Sequence, residues 1–250
     1  MNIFDGIYIL SEKDFDIAYK KLFYGEHRNK MYAFGYYSWK SWAVKSVLDK
    51  LNEGDLLIYC DAGCTLNPKG LRKLHLWISD ISKQDKDIMA FIQPQYLEKA
   101  YTKEEVFKYF SISQNDKMIR NTGQFFAGTL LVRKTLQSSD LINQWYNLSN
   151  YHKDLIDEST TCTENPDFIT CRYDQSLLSL LLKQYKGLVT KNLSEIEYGC
   201  HSNIGIEDSP IWALRKKKLT FIGYLKVFPI RVINKIARVL GYRNVINYKI

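Results

Sequence analysis

The chain has 250 residues, of which 46% are hydrophobic and 25% charged, as expected for one globular domain with at most a small appendage. The net charge of +8 comes from positions 215–250, which carry ten Lys or Arg and no acid, whereas positions 1–214 carry 25 basic and 27 acidic residues. A near-neutral main domain argues against a nucleic-acid groove, so we expect no nucleic-acid partner.

Hydropathy and cysteine usage argue against a secreted or membrane-spanning protein. No run of 18 uninterrupted apolar residues occurs, so no segment is expected to cross a membrane as a helix. The first residues lack the basic and then apolar pattern of a signal peptide. The five cysteines form no CxxC pair, and a reduced, cytoplasmic setting is the simplest interpretation.

Hydrophobic periodicity predicts strands that alternate with helices along most of the chain. Strands are expected over 4–10, 55–63, 87–93 and 123–134, and helices over 12–25, 37–54, 68–82, 102–112, 138–151 and 174–187. This alternation predicts an α/β fold with a mostly parallel central sheet flanked by helices. In such a sheet, ligands bind at the carboxyl ends of the strands.

The predicted strand over 55–63 delivers a carboxylate, Asp61, to a turn that contains Gly63. A divalent ion that bridges two phosphates prefers oxygen ligands, and a carboxylate at a strand end can supply one. The alternative is that Asp61 only caps the turn, a position that Asp favours. Taken alone, the pattern favours the cap.

Three further clusters follow, and each has a structural alternative. The small residues that end "FFAG", residues 125–128, indicate either the close approach of a ligand or a β-bulge. Asp174 and Gln175 open a buried helix, where they can contact sugar hydroxyls or simply cap the helix. His201, in a predicted loop, can complete a metal site or be a surface or capping residue.

The order of these clusters is more specific than any one of them. The segments "GYYSWK", "GDLLIYCDAGC", "RYDQSLLSLL" and "PIWALRKK" follow one another between residues 35 and 217. Together they resemble the nucleotide-sugar glycosyltransferases of the GT-A (Rossmann-like) fold, with a layout similar to glycosyltransferase family 8. The resemblance is closer to a group of bacterial capsule and O-antigen glycosyltransferases.

The resemblance implies a donor site to which each motif contributes. Asp61 would bind the metal and the diphosphate, with Gly63 in the place of the second carboxylate of Asp-x-Asp. His201 would be a second ligand of Mn²⁺ or Mg²⁺. Asp174 would be the carboxylate at the reaction centre, as a base or as a contact to a sugar hydroxyl. The remaining residues implied to bind the donor are Ala62, Ala127, Gly128, Gln175, Arg215 and Lys216.

The implied activity is hexosyl transfer from a nucleotide-sugar, expected to be a UDP-sugar, to a lipid-linked glycan acceptor in capsule or lipopolysaccharide biosynthesis. The Asp-Gln pair favours retention of configuration. A sugar nucleotidyltransferase is a second interpretation, but it needs a glycine-rich phosphate loop near the N-terminus, which the sequence lacks. A third is a non-catalytic nucleotide-sugar-binding protein of the same fold that has lost the second carboxylate.

The basic tail, residues 215–250, is expected to form a unit distinct from a catalytic domain of residues 1–214. Within it, residues 229–243 alternate basic and apolar positions in a helical pattern that begins at Pro229. Such a helix is typical of association with an anionic membrane surface, here the inner face of the cell membrane. The alternative is a helix that docks on the core with its basic face in solvent.

Overall fold

The computed structural model describes residues 3–83, 85–196 and 207–213. Its strands, in chain order, are β1 Leu56–Cys60, β2 Cys64–Leu66, β3 Ile88–Leu97, β4 Gly123–Arg133, β5 Leu188–Asn192 and β6 Ile211–Ala213. Its helices are α1 Ile17–Gly25, α2 Ala33–Tyr36, α3 Trp39–Leu48, α4 Leu71–Ile81, α5 Glu98–Tyr101, α6 Glu104–Tyr109, α7 Lys117–Arg120, α8 Leu136–Tyr151, α9 Lys153–Ile156 and α10 Asp174–Lys183.

Within the described residues, four strands form the central sheet, in the order β1-β4-β3-β5, and helices cover both of its faces. Successive residues of a strand point to opposite faces, so Ile88 and Ala90 of β3 pack with α3, α6, α8 and α10. Met89 and Phe91 lie in the other core, with α4. The expected α/β architecture, a sheet flanked by helices, is confirmed.

The direction of one strand corrects the expectation of a mostly parallel sheet. β3 and β5 pair in parallel, but β4 is antiparallel to both of its neighbours, β1 and β3. Three strands therefore run one way, and the reversed β4 lies between two of them. A continuous apolar run reports burial on both faces and carries no information on direction, which is why the sequence pattern could not reveal this reversal.

Two predicted elements differ from the structure near the N-terminus. The strand expected over 4–10 is wrong, because these residues pair with no strand in the described part of the chain, and Ile7 and Ile9 are 74% and 90% exposed. The helix expected over 37–54 is α3, which is shorter and ends at Leu48.

Several sequence predictions fall outside the described residues. These are the roles of His201, Arg215 and Lys216, the membrane-associating tail and the division between residues 214 and 215, all of which stay predictions. Among the residues that are described, no helix is long and apolar enough to span a membrane.

Candidate active site at the end of β1

Asp61 follows β1 directly, and its carboxylate is held by two side chains. The Tyr59 hydroxyl donates to Oδ1 at 2.7 Å, and the Lys40 ammonium donates to Oδ2 at 3.0 Å. Burial, followed by the charge of Asp61, raises the pKa of Tyr59 well above its usual value, so the phenol stays protonated and donates. The side chain of Asp61 is still 31% exposed, so part of it remains in contact with solvent.

Lys40 is a site residue that the sequence interpretation missed. It lies in the first turn of α3, its side chain is only 11% exposed, and its Nζ is 4.9 Å from the centre of the Tyr37 ring. Burial alone would lower the pKa of Lys40, but the carboxylates of Asp174 and Asp61 more than offset this and raise it. Lys40 therefore remains a cation between two carboxylates.

A sequence signal for Lys40 was present. Together with Val44 and Leu48 it follows the i, i+4, i+8 spacing that places all three on the core side of α3. A lysine on an apolar stripe must have a partner, because an unpaired buried charge is very unfavourable.

Asp174, the first residue of α10, is the second carboxylate of the site. It is 2% exposed, and its Oδ2 has no hydrogen-bond partner in the described part of the chain. Burial raises the pKa of Asp174 to about 7, Lys40 opposes this rise, and the charge of Asp61 adds to it. A carboxyl group that titrates near neutral pH beside a lysine is typical of catalytic sites.

Gln175, next to Asp174, points into a buried amide network. Its Oε1 accepts from the Ala127 backbone N–H at 3.4 Å, and its Nε2 donates to Gln93 and Gln124 at 3.1 and 2.8 Å. These bonds couple α10 to β3 and β4 and so position Asp174. The predicted contact between Gln175 and the donor sugar stays a prediction.

The "FFAG" segment forms a bulge beside Asp61. From the pair Ile92–Phe125 to the pair Ala90–Leu130, β3 moves back two residues and β4 advances five, so the β3–β4 pairing is interrupted over residues 126–129, although Thr129 still pairs with Cys60 of β1. Within the bulge, the Gly128 carbonyl accepts from the Asp61 backbone N–H at 2.9 Å. A Cβ on Gly128 would lie 2.2 Å from Cζ of the Phe126 ring and 2.8 Å from Asp61 Oδ2, so the glycine makes room for both side chains.

The turn after Asp61 connects the site to the last described segment. Ala62 and Gly63 are exposed, and the Cys64 backbone N–H donates to the Asp61 carbonyl at 2.8 Å. β2 then pairs with β6, with Cys64 opposite Ala213. The motifs "CDAGC" and "PIWA", 150 residues apart, therefore lie side by side.

A strained turn precedes Lys40, and it includes the short element α2, whose backbone is not that of a right-handed helix. Residues 33–37 all have positive φ, and the four that are not glycine are Ala33, Phe34, Tyr36 and Tyr37, with φ from 48° to 61°. The left-handed conformation costs roughly 1–2 kcal/mol for each such residue. Tyr173, just before Asp174, also has positive φ, at 52°. Strain of this kind concentrates at functional sites.

The described residues do not by themselves fit a divalent metal. Both oxygens of Asp61 are already engaged, and no group of three or more His, Cys, Asp or Glu side chains suited to a metal occurs in the parts that the structure describes. Octahedral or larger oxygen shells are what Mg²⁺ and similar ions require. Within the described residues, the cation that contacts Asp61 is Lys40.

Comparison with known proteins gives little further information. No family model and no curated protein matches the chain. Among solved structures, mouse xyloside xylosyltransferase 1 in its apo form aligns with 71% of this chain and 62% of its own length, at 11% identity and a TM-score of 0.40. The chain thus spans less than two thirds of that protein, and a likeness this distant carries no argument for function.

Proposed function

We propose that the chain is a nucleotide-sugar glycosyltransferase whose reaction centre lies between Asp61 and Asp174. The observation that carries the proposal is the buried Lys40, held against Asp61 and close enough to Asp174 for each charge to alter the other's pKa. The ordered motifs named above support it, since "CDAGC", "YDQS" and "PIWA" come from distant positions and the first two supply these carboxylates.

The chemistry requires charge stabilisation at two places. The bond between the anomeric carbon and the donor phosphate breaks, and the acceptor hydroxyl oxygen bonds to the same carbon. Negative charge grows on the departing nucleoside diphosphate, and Lys40 would stabilise it from a fixed position. The acceptor proton passes to a base, for which the ionised Asp174 is the candidate, or to the departing diphosphate.

A divalent ion at Asp61 and His201 remains a separate prediction, because His201 lies outside the described residues. No step above depends on it. We likewise propose, from the motif resemblance, a UDP-sugar donor with hexosyl transfer and retention of configuration. A lipid-linked glycan acceptor, a role in capsule or O-antigen synthesis, and a peripheral location at the cytoplasmic face of the membrane complete the proposal.

A non-catalytic nucleotide-sugar-binding protein is the second candidate. One observation favours it. Lys40 already neutralises Asp61, and a protein that binds nucleotide-sugars without turnover would not need a catalytic metal at this carboxylate. Such a protein would bind UDP and leave its sugar donors intact.

Binding and turnover assays separate these candidates. The purified chain is incubated with UDP-, GDP- and dTDP-sugars, each with EDTA or with Mn²⁺, and free nucleotide is measured alongside UDP affinity by calorimetry. We expect slow donor hydrolysis that falls at least tenfold in Asp174→Asn and is unchanged in Asp140→Asn, an exposed carboxylate on α8.

UDP binding without any donor turnover would favour the non-catalytic candidate. Absence of both, with and without Mn²⁺, would refute both candidates. A strict requirement for Mn²⁺ would show that Lys40 does not suffice and that ligands outside the described residues complete the site.

A further inference from the structure

Arg172, which opens the motif "RYDQSLLSLL", packs against two tyrosine rings. Its guanidinium carbon lies 3.7 Å from the centre of the Tyr96 ring and 4.9 Å from that of Tyr101. The two rings meet edge to face, with their centres 5.2 Å apart. Guanidinium groups stack favourably on aromatic rings in this way. We call the side chains of Arg172, Tyr96 and Tyr101 the arginine cluster.

The hydrogen-bond donors of the arginine cluster have no acceptors among the described residues. There the guanidinium makes no hydrogen bond or ion pair, and neither tyrosine hydroxyl is bonded, although all three side chains are partly buried. The other buried or partly buried arginines of the described chain differ, because their guanidinium groups donate to carboxylate or carbonyl oxygens: Arg28, Arg120 and Arg133. Arg172 therefore has free N–H groups in a fixed position.

An oxygen-rich anion is the ligand that fits these free donors. Stacking covers the faces of a guanidinium but leaves the N–H groups at its edge, which bind carboxylate or phosphate oxygens in pairs. A carboxylate has two oxygens, both of which the guanidinium alone can bind. A phosphate group has a third oxygen, which can accept from a tyrosine hydroxyl. The acid five residues before Arg172 does not compete, because Asp167 pairs with Lys99 at 2.7 Å.

The arginine cluster lies at the edge of the sheet where ligands bind in α/β folds. Tyr96 is the residue before the last of β3, and Asp61 directly follows β1. β1 and β3 run in the same direction, since both are antiparallel to β4. Their carboxyl ends therefore lie at one edge, which is the usual position of a ligand site.

Hydrogen bonds connect the arginine cluster to the first turn of α10. The Tyr101 carbonyl accepts from the Arg172 backbone N–H at 3.2 Å and from the Ser176 hydroxyl at 2.8 Å. Asp174, whose pKa the charge of Lys40 lowers, lies two residues before Ser176. Residues two positions apart on an α-helix point in directions that differ by about 200°. Tyr101 and Lys40 thus adjoin different sides of α10, which indicates that the arginine cluster and Lys40 hold different groups.

We propose that the arginine cluster binds a phosphate group of a phosphorylated ligand, at a site distinct from Lys40. The paired N–H groups of Arg172 donate to two phosphate oxygens, and a hydroxyl of Tyr96 or Tyr101 donates to a third. This site requires only the arginine cluster and does not depend on the proposed glycosyltransferase function.

Phosphorus NMR titrations of the full chain with methyl phosphate and with inorganic phosphate test the site. We expect saturable binding of methyl phosphate that weakens by about tenfold or more in Arg172→Gln, which loses both the charge and the paired N–H groups. Arg172→Lys keeps the charge and should show a smaller loss. Arg72→Gln is the matched control, because Arg72 is exposed on α4 and contacts no aromatic ring among the described residues.

Two conservative variants separate binding from folding. Tyr96→Phe and Tyr101→Phe keep the rings that stack on Arg172, and each removes one hydroxyl. At least one of them should bind methyl phosphate about threefold more weakly, while far-ultraviolet circular dichroism shows an unchanged fold. Methyl phosphate should also remain bound when UDP is added in excess, because UDP is assigned to Lys40.

Several results would overturn the phosphate site whatever the donor assays give. They are no saturable binding of methyl phosphate, binding unaffected by Arg172→Gln, equal weakening in Arg72→Gln, and equal affinity for acetate. Binding of inorganic phosphate alone would overturn the phosphorylated ligand, and displacement of methyl phosphate by UDP would overturn a site distinct from Lys40. Donor hydrolysis without methyl phosphate binding would leave the glycosyltransferase proposal standing alone, and methyl phosphate binding without hydrolysis would keep only the phosphate site.

Discussion

Replacing Asp174 by Asn should make the protein more stable at alkaline pH and should remove a pH dependence that wild type shows. Burial raises the pKa of Asp174 from 3.8 to about 7, whereas in the unfolded chain this carboxyl titrates near its ordinary value. Between these pH values the folded state holds a proton that the unfolded chain has released. Stability therefore falls as pH rises through this window.

The size of the effect follows from the same pKa difference. A tenfold change in proton affinity corresponds to about 1.4 kcal/mol. The rise in the pKa of Asp174 from 3.8 to about 7 therefore lowers the free energy of unfolding of the wild type by roughly 4 kcal/mol once Asp174 is ionised. Asn has nearly the same shape and no charge to desolvate. Asp174→Asn should thus match wild type near pH 4 and exceed it by up to about 4 kcal/mol at pH 8.

Urea unfolding of both proteins at pH 4, 5, 6, 7 and 8, followed by far-ultraviolet circular dichroism in the presence of a reductant, measures this difference. All other groups titrate in both proteins and cancel in the comparison, provided that the slope with urea is the same. Parallel stability profiles for wild type and variant would refute the reasoning, because Asp174 would then titrate as an ordinary surface carboxyl.

Three further predictions concern the same site. Lys40→Met should lower the free energy of unfolding by about 1–3 kcal/mol, which is less than the loss expected for a fully buried ion pair because the Asp61 side chain is 31% exposed. The same variant should bind UDP at least tenfold more weakly, as measured by calorimetry. Gly128→Ala should displace the Phe126 ring and the Asp61 carboxylate and so weaken UDP binding by a similar factor. Gly25→Ala, where an added Cβ meets nothing within 4 Å, should bind UDP normally. If Asp174 accepts the acceptor proton, kcat/KM for transfer should rise about tenfold per pH unit below pH 7 and level off above it. A flat or falling profile would contradict that role.

Local signals drew attention to the two carboxylates, although only the motif resemblance assigned them a role in a site. Asp61 ends an apolar run, and Asp174 opens an apolar helix, and both positions follow from hydrophobic pattern and residue type. Asp61, after β1, and Asp174, at the start of α10, lie close enough for the charge of Asp61 to raise the pKa of Asp174. The pattern could not reveal which side chains contact each carboxylate, because several of these side chains belong to elements distant in sequence.

Lys40 shows why the partner was missed. Hydrophobic periodicity predicted the helix that contains α3 but assigned no role to the lysine in its first turn. Its position in the stripe with Val44 and Leu48 places this lysine towards the sheet. The buried charge of Lys40 is tolerated only because the carboxylates of Asp61 and Asp174 lie nearby. This proximity arises only when the chain folds, so the sequence pattern does not contain it.

The turn of residues 33–37 and the reversal of β4 could not be read from the sequence for another reason. Ala, Phe and Tyr disfavour positive φ, so local preference points away from the conformation that the structure adopts. The apolar run of β4 fits either strand direction equally well. In both cases packing against the rest of the protein overrides, or decides between, the local possibilities.

These costly features occur together, and that is an argument for function. A lysine buried between carboxylates, a carboxyl oxygen without a partner and a run of left-handed residues each reduce stability, and apolar or glycine residues at these positions would avoid the cost. Single features of these kinds also occur elsewhere in the described residues, for example positive φ at His27 and Ser111 and an orphaned oxygen on Glu105. At the end of β1 all three kinds meet, around Lys40, Asp61 and Asp174. Proteins break local rules mainly where a site needs it, so binding or catalysis at this position is the simplest explanation of their coexistence.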